Sequence, residues 1–285
     1  MQKFGSVGNF GKEIYRTYVV DQPNHFAASL SYYSLFSLIP TIYIAFQVSG
    51  LFIDNEAVTQ HLLAEVTNLL GVEVAELLIV MLEAISRRPS SITPVDGFVS
   101  SVVMLFGASL LFFKLQYALN TIWKIPPSTK GQTKSFIFNR LIAFTMVFCV
   151  GILFIVMSLS SVLVSFFDSS LQLNRPFLNF GTNLAISVVT IALIFKLLPN
   201  ARISWKDAAI GAGMTAFLLS AGSKGLGWYL SSSSVNSFFE AAGSVVLLLI
   251  AIYFLAQLFI FGAVFTRVFA DCFGSGIQPR KAADS

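Results

Sequence analysis

The sequence predicts an all-α integral membrane protein with six transmembrane helices and an amphipathic helical extracytoplasmic segment between helices one and two. Three observations carry this. First, 11% of the 285 residues are charged and 55% are hydrophobic, with mean hydropathy +0.77; a soluble domain needs roughly 25% charged residues to coat its surface. Second, the charges leave long empty intervals. Third, the Lys and Arg residues fall almost entirely into alternate loops. The same apolar excess excludes a disordered chain, and 19 Gly with 2 Cys exclude collagen and disulfide scaffolds.

The uncharged intervals are 32 positions between Asp21 and Asp54, 17 between Asp96 and Lys114, 27 between Arg140 and Asp168, 20 between Arg175 and Lys196, 16 between Asp207 and Lys224, and 26 between Glu240 and Arg267. About 20 apolar residues at roughly 1.5 Å rise cross a hydrocarbon core. Four intervals qualify outright, and the other two continue beyond a single lysine. The spans are 26–52, 97–123, 141–167, 177–198, 207–230 and 242–267. Continuous runs of this length are helices, because barrel strands would be short and alternating. The first span, too long for a signal peptide and containing Pro40, is expected to remain as the first helix.

Placing the N-terminus in the cytoplasm puts 13 Lys and Arg on that side against Arg87, Arg88 and Arg175 on the other, with Lys114 and Lys224 inside spans. The positive-inside rule therefore expects both termini in the cytoplasm, with 1–25 an N-terminal segment, 26–271 the membrane domain and 272–285 a tail. The net charge of +4 follows this topology and forms no dense patch, so no nucleic acid partner is expected.

Residues 53–96 form the sizeable extramembrane piece. Val74, Leu77, Leu78, Met81, Leu82 and Ile85 repeat at helical spacing, opposite Glu73, Glu76 and Glu83. Such helices either lie on the outer leaflet or pack as a lid. Cys149 and Cys272 are far apart and define no disulfide framework.

Four blocks in order carry a family resemblance. They are Ala27 to Pro40 (AASLSYYSLFSLIP), Leu115 to Trp123 (LQYALNTIW), Leu198 to Asp207 (LPNARISWKD) with Gly211-Ala212 and Gly222-Ser223-Lys224, and Ala241 to Ser244 leading to Gly262 to Arg267. Over roughly 20–270 this order and spacing resembles the YihY/BrkB family. The resemblance implies six transmembrane helices and the bacterial inner membrane, with residues 53–96 periplasmic. The family has carried a ribonuclease label, now regarded as mistaken, and a serum-resistance virulence label. Some members are linked to lipid or lipopolysaccharide-precursor traffic. Val264 stands where many members have an acidic residue, so no role of that carboxylate transfers.

Enzyme chemistry finds little support. His25 and His61 have no ligand-like company, and the cytoplasmic acids are scattered, so neither metal-dependent hydrolysis nor general acid–base work is expected. No catalytic residue, metal or cofactor is expected. Gly211 to Ala216 mimics a dinucleotide glycine pattern but lies inside a span, where small residues let helices approach. Ser223-Lys224 is a poor nucleophile pair, since helical neighbours point about 100° apart.

The two lysines inside spans are substrate-binding candidates, because a charge at depth must find a partner, water or the interface. Lys224 either meets an anionic headgroup or pairs with Glu240; the bland alternative is snorkelling. Lys114 is a second counter-charge. Gln116, Asn120 and Trp123 share one face at i, i+4, i+7, with Lys114 roughly opposite. That face lines a polar path or bonds a neighbouring helix. Span one is polar around much of its circumference, including Tyr32 and Tyr33, and Pro40 is a candidate hinge. Spans one, two and five are thus expected to border a cavity. Arg202, Trp205 and Lys206 suit interfacial anchoring.

These readings converge on an inner-membrane protein of envelope biogenesis that moves or presents a phospholipid or lipid precursor through a polar intramembrane cavity. A non-transporting envelope scaffold is the alternative. Membrane lipids are the expected partners, with homo-oligomers or other envelope proteins as further associations.

Overall fold

The computed structural model describes residues 7–49, 94–126, 175–230 and 244–279, with isolated helical positions within 60–80 and 145–152. The helices described are α1 (Val7–Val20), α2 (Asn24–Ser49), α3 (Pro94–Ile122), α4 (Arg175–Leu197), α5 (Trp205–Leu230) and α6 (Ser244–Cys272), with a strand pair β1 (Ala201–Arg202) and β2 (Gln278–Pro279). Helices α2 to α6 coincide with the first, second, fourth, fifth and sixth expected spans. The third span, 141–167, lies outside the described residues except at Thr145, Cys149 and Ile152. Phe180–Leu197 and Val245–Cys272 are long and apolar enough to cross a membrane, with mean hydropathy 1.8 and 2.6. Of the amphipathic segment 53–96, Gln60, Leu63, Thr67, Glu76, Ile79 and Val80 are described as helical ahead of α3; the apolar stripe of Val74, Leu77, Leu78, Met81, Leu82 and Ile85 lies outside the described residues.

Two boundaries differ from the sequence expectation. The N-terminal segment contains a helix of its own, α1, separated from α2 by a joint at Asp21–Pro23. Helix α6 continues beyond Arg267 to Cys272, and the tail after it pairs antiparallel with β1, Ala201 opposite Pro279 and Arg202 opposite Gln278.

Each helix contact has a local cause. Helix α2 packs on α3 and α6, α5 on α4 and α6, and α1 on α6. At the α2–α3 contact the Pro40 ring sits against Gly107, where an added Cβ would fall 2.9 Å from Pro40 Cγ. At the α5–α6 contact two glycines receive two threonines reciprocally. A Cβ on Gly211 would lie 2.7 Å from Thr266 Cβ, and one on Gly262 would lie 2.8 Å from Thr215 Cβ. The threonine hydroxyls donate back to their own helices, Thr215 to Gly211 O and Thr266 to Gly262 O, both at 2.7 Å, so fully buried polar groups are satisfied without separating the helices. Small residues set the spacing of these two helices, as the glycine-rich sequence of span five implies.

The main core joins α2 to α6 through Leu30, Phe112, Leu119, Phe195, Ala212 and Val264. A smaller cluster of Leu226, Leu247, Leu248 and Ala251 gathers toward the opposite end.

Candidate functional site

Hydrogen bonds gather the end of α3, the end of α4, the start of α5 and the end of α6 into one basic end of the bundle. Lys124, Lys196, Arg202, Lys206 and Arg267 lie there, in agreement with the alternation of the basic loops. Two nodes lock this end.

The first is centred on Arg267, whose side chain is 15% exposed. Its guanidinium donates to Ile122 O at 2.8 Å and to the Asp21 carboxylate at 3.2 Å, and lies 3.8 Å from Asp271. Lys124 reaches the same Asp21 oxygen at 3.3 Å. Lys124 occupies the left-handed region with φ 54° because α3 closes there with Ile125 N–H donating to Asn120 O at 2.8 Å. One arginine thus ties the joint between α1 and α2 to the ends of α3 and α6.

The second is centred on Asp207, buried in the first turn of α5, where a carboxylate suits the helix dipole. It accepts the Ser275 N–H at 3.1 Å, which holds the C-terminal tail beside β1. Ser204 caps the same helix by accepting the Lys206 N–H at 3.3 Å. The Lys196 ammonium donates to Ile203 O and lies 5.2 Å from the Trp205 ring centre. Sequence reasoning noted Asp207 and Arg267 within the resemblance blocks and Asp21 among scattered acids, but it gave none of them a partner, since the partners lie far away along the chain.

The sequence-predicted residues fall into separate places. Gln116 is buried, and its amide donates to Leu198 O at 2.7 Å. Asn120 accepts the Asn200 N–H at 2.8 Å. Trp123 donates to Ala263 O at 3.1 Å. The shared face of α3 therefore bonds neighbouring segments, the second of the two uses expected for it.

Lys114 points the other way, its ammonium 4.6 Å from the centre of the Tyr33 ring on α2. Tyr33 in turn meets exposed Tyr32 edge-on at 5.5 Å. Lys224 is exposed on α5, with its ammonium 4.6 Å from the Phe180 ring centre of α4. Along the same flank Ile210, Phe217 and Trp228 are exposed, Trp228 at 79%. Span five is thus small-residued where it meets α6 and open on the other side. Glu240, one of the two partners expected for Lys224, lies outside the described residues.

The polar character of α2 has a local explanation. Ser31 and Ser37 are buried, and their hydroxyls donate to carbonyls three residues back, Ala28 and Ser34, at 2.9 and 3.2 Å. Ser109 of α3 does the same to Phe106 O at 2.7 Å. These serines act as small residues at helix contacts. Pro40 lies within α2, which continues through it. Helix α6 packs on both α2 and α5. Cys149 and Cys272 are free thiols.

Comparison with known proteins places these features in a family context. The model of the family described as Virulence factor BrkB matches residues 14–285. A UPF0761 membrane protein of Saccharophagus degradans is 22% identical over 268 residues, which cover 93% of this chain and 60% of the relative. A UPF0761 membrane protein of Teredinibacter turnerae is 24% identical over 275 residues, covering 94% and 61%. A third, from Mannheimia succiniciproducens, is 23% identical over 253 residues, covering 86% and 84%. The chain thus spans about 60% of the length of the first two relatives. No solved structure matches.

Proposed function

The chain belongs to the Virulence factor BrkB family, whose relatives are membrane proteins, and from that premise we propose that it binds and moves an anionic envelope lipid at the bacterial inner membrane. In this reading six helices cross the bilayer, both termini are cytoplasmic and residues 53–96 are periplasmic. The chemistry is non-covalent, and no enzymatic step is invoked.

The observation that carries the reading is Lys224 on the open flank of α5, in contact with Phe180 and one turn from exposed Trp228. A cation over a ring is worth about 0.5–2 kcal/mol. A phosphate headgroup offers a charge-assisted hydrogen bond instead, so it displaces the ring. Aromatic side chains beside the cation suit the interfacial depth of a headgroup. Lys114 with Tyr33 and Tyr32 forms a comparable pair on the α2–α3 flank. Two separate lysine flanks, with Glu240 as a proposed counter-charge for Lys224, support the reading.

A scaffold that moves nothing is the second reading. The bonded seam of Gln116, Asn120 and Trp123 favours it, because that seam stiffens the bundle.

Native mass spectrometry of the chain purified in mild detergent tests the lysine assignment. Phospholipid retained by the parent chain is lost in Lys224→Ala with the fold intact. Retention unchanged in both Lys224→Ala and Lys114→Ala removes the headgroup role. Leaflet-specific quenching in reconstituted vesicles then separates transport from scaffolding.

A further inference from the structure

Helix α1 plays no part in the lysine flanks, and its outer face is unaccounted for. Its inner face is set by Phe10, Ile14 and Tyr18, at i, i+4, i+8, which pack toward α6. Phe10 meets Phe265 at 5.5 Å and Phe273 at 5.3 Å, ring centre to ring centre. Tyr18 meets Phe261 at 5.8 Å and donates to Gln257 Oε1 at 3.0 Å. The contacts run backward along α6, so the two helices point in opposite directions.

The outer face carries Lys12, Tyr15, Arg16, Val19 and Val20, all exposed, with Tyr15 at 71%. Lys12 lies in the first half of α1, Tyr15 and Arg16 follow past its middle, and the two valines close the helix next to Asp21. Arg16 has Glu13 at 3.9 Å as a loose surface partner, which leaves the face net positive. A helix seated against a membrane-spanning segment has the bilayer boundary on its open flank. A face that interleaves cations with an aromatic ring and aliphatic side chains suits the boundary between headgroups and acyl chains. Lys and Arg stems lie along apolar surface while their charges reach the headgroups.

We propose that α1 is an interfacial helix that recruits anionic phospholipid, with Lys12 and Arg16 on the headgroups and Tyr15, Val19 and Val20 against the adjoining acyl boundary. This assignment is independent of whether the protein moves lipid.

The test uses the full chain with Cys149→Ala and Cys272→Ala, and a fluorophore on Gly11→Cys. Position 11 is exposed, and an added Cβ there meets nothing within 4 Å. The chain is reconstituted in phosphatidylcholine vesicles that hold an equal small fraction of shallow doxyl-labelled phosphatidylglycerol or doxyl-labelled phosphatidylcholine. Both lipids quench the label, the anionic one several-fold more, since each cation near the surface contributes roughly a fivefold preference. High salt and Lys12→Gln with Arg16→Gln abolish the preference, whereas Lys12→Arg with Arg16→Lys retains it. Quenching by neither lipid, equal quenching by both in the parent chain, or a preference that survives the double glutamine substitution overturns the proposal.

Discussion

Adding one methyl group at Gly211 should destabilise the bundle, while the same methyl two residues away at Gly213 should not. A Cβ at position 211 would lie 2.6 Å from Thr266 Cγ2 and 2.7 Å from Thr266 Cβ. Carbon atoms prefer about 3.5–4.0 Å, so α5 and α6 must part by about 1 Å. Rotating Thr266 gives no relief, because its own Cβ is in the way and rotation breaks the bond to Gly262 O. Overpacking of this kind costs about 1–3 kcal/mol. At Gly213 a Cβ meets nothing within 4 Å, and alanine gains about 0.5–1 kcal/mol over glycine in a helix. The propensity gain is common to both variants, so their difference isolates the steric cost. Thermal unfolding in mild detergent, followed by helical circular dichroism, should place Gly211→Ala several degrees below Gly213→Ala. Gly262→Ala should behave like Gly211→Ala, through Thr215. Equal midpoints for the 211 and 213 variants, or a higher midpoint for Gly211→Ala, would refute the reciprocal glycine–threonine contact.

Three further outcomes follow from the buried hydrogen bonds, the Asp207 node and helix α1. Gln116→Leu strips the buried Leu198 carbonyl of its donor and should cost about 1–3 kcal/mol, read as a lower denaturant midpoint; Asn120→Leu, whose partner is only half-buried, should cost less. Gly274→Ala would set a methyl 2.5 Å from the Asp207 carboxylate carbon, so hydrogen exchange at the Ser275 amide should rise while α5 itself stays protected. Tyr18 holds its proton above the usual phenol range, first through burial and then through Tyr253. The neutral form is the one stabilised in the fold, so its contribution is complete below pH 10.0, the ordinary value, and is lost as pH rises through the raised one. Label mobility at position 11 should therefore increase under strongly alkaline conditions, and Tyr18→Phe should remove that step.

The sequence by itself determined the membrane class, the positions of the apolar helices α2 to α6 and the alternation of basic loops. Each follows from a one-dimensional quantity: the interval between charges against the thickness of a bilayer, and the number of cations per loop. It also marked Gln116, Asn120 and Trp123 as one face, because helical spacing is local. Helix α1 was legible in principle from Phe10, Ile14 and Tyr18, but fourteen residues of mixed character carry a weak signal beside the long spans. Only tertiary structure decided what those faces touch. The serines of α2 marked a helix that prefers protein or a wet cavity to acyl chains, and Ser31 and Ser37, which satisfy their hydroxyls on their own helix, serve as small contact residues. Arg267 joined Asp21 and Ile122 across more than a hundred residues of chain, and the tail after α6 returned to Asp207. Such pairings depend on which helix ends meet, and that is set by side-chain volume at the contacts, here a glycine opposite a threonine, which no periodicity records.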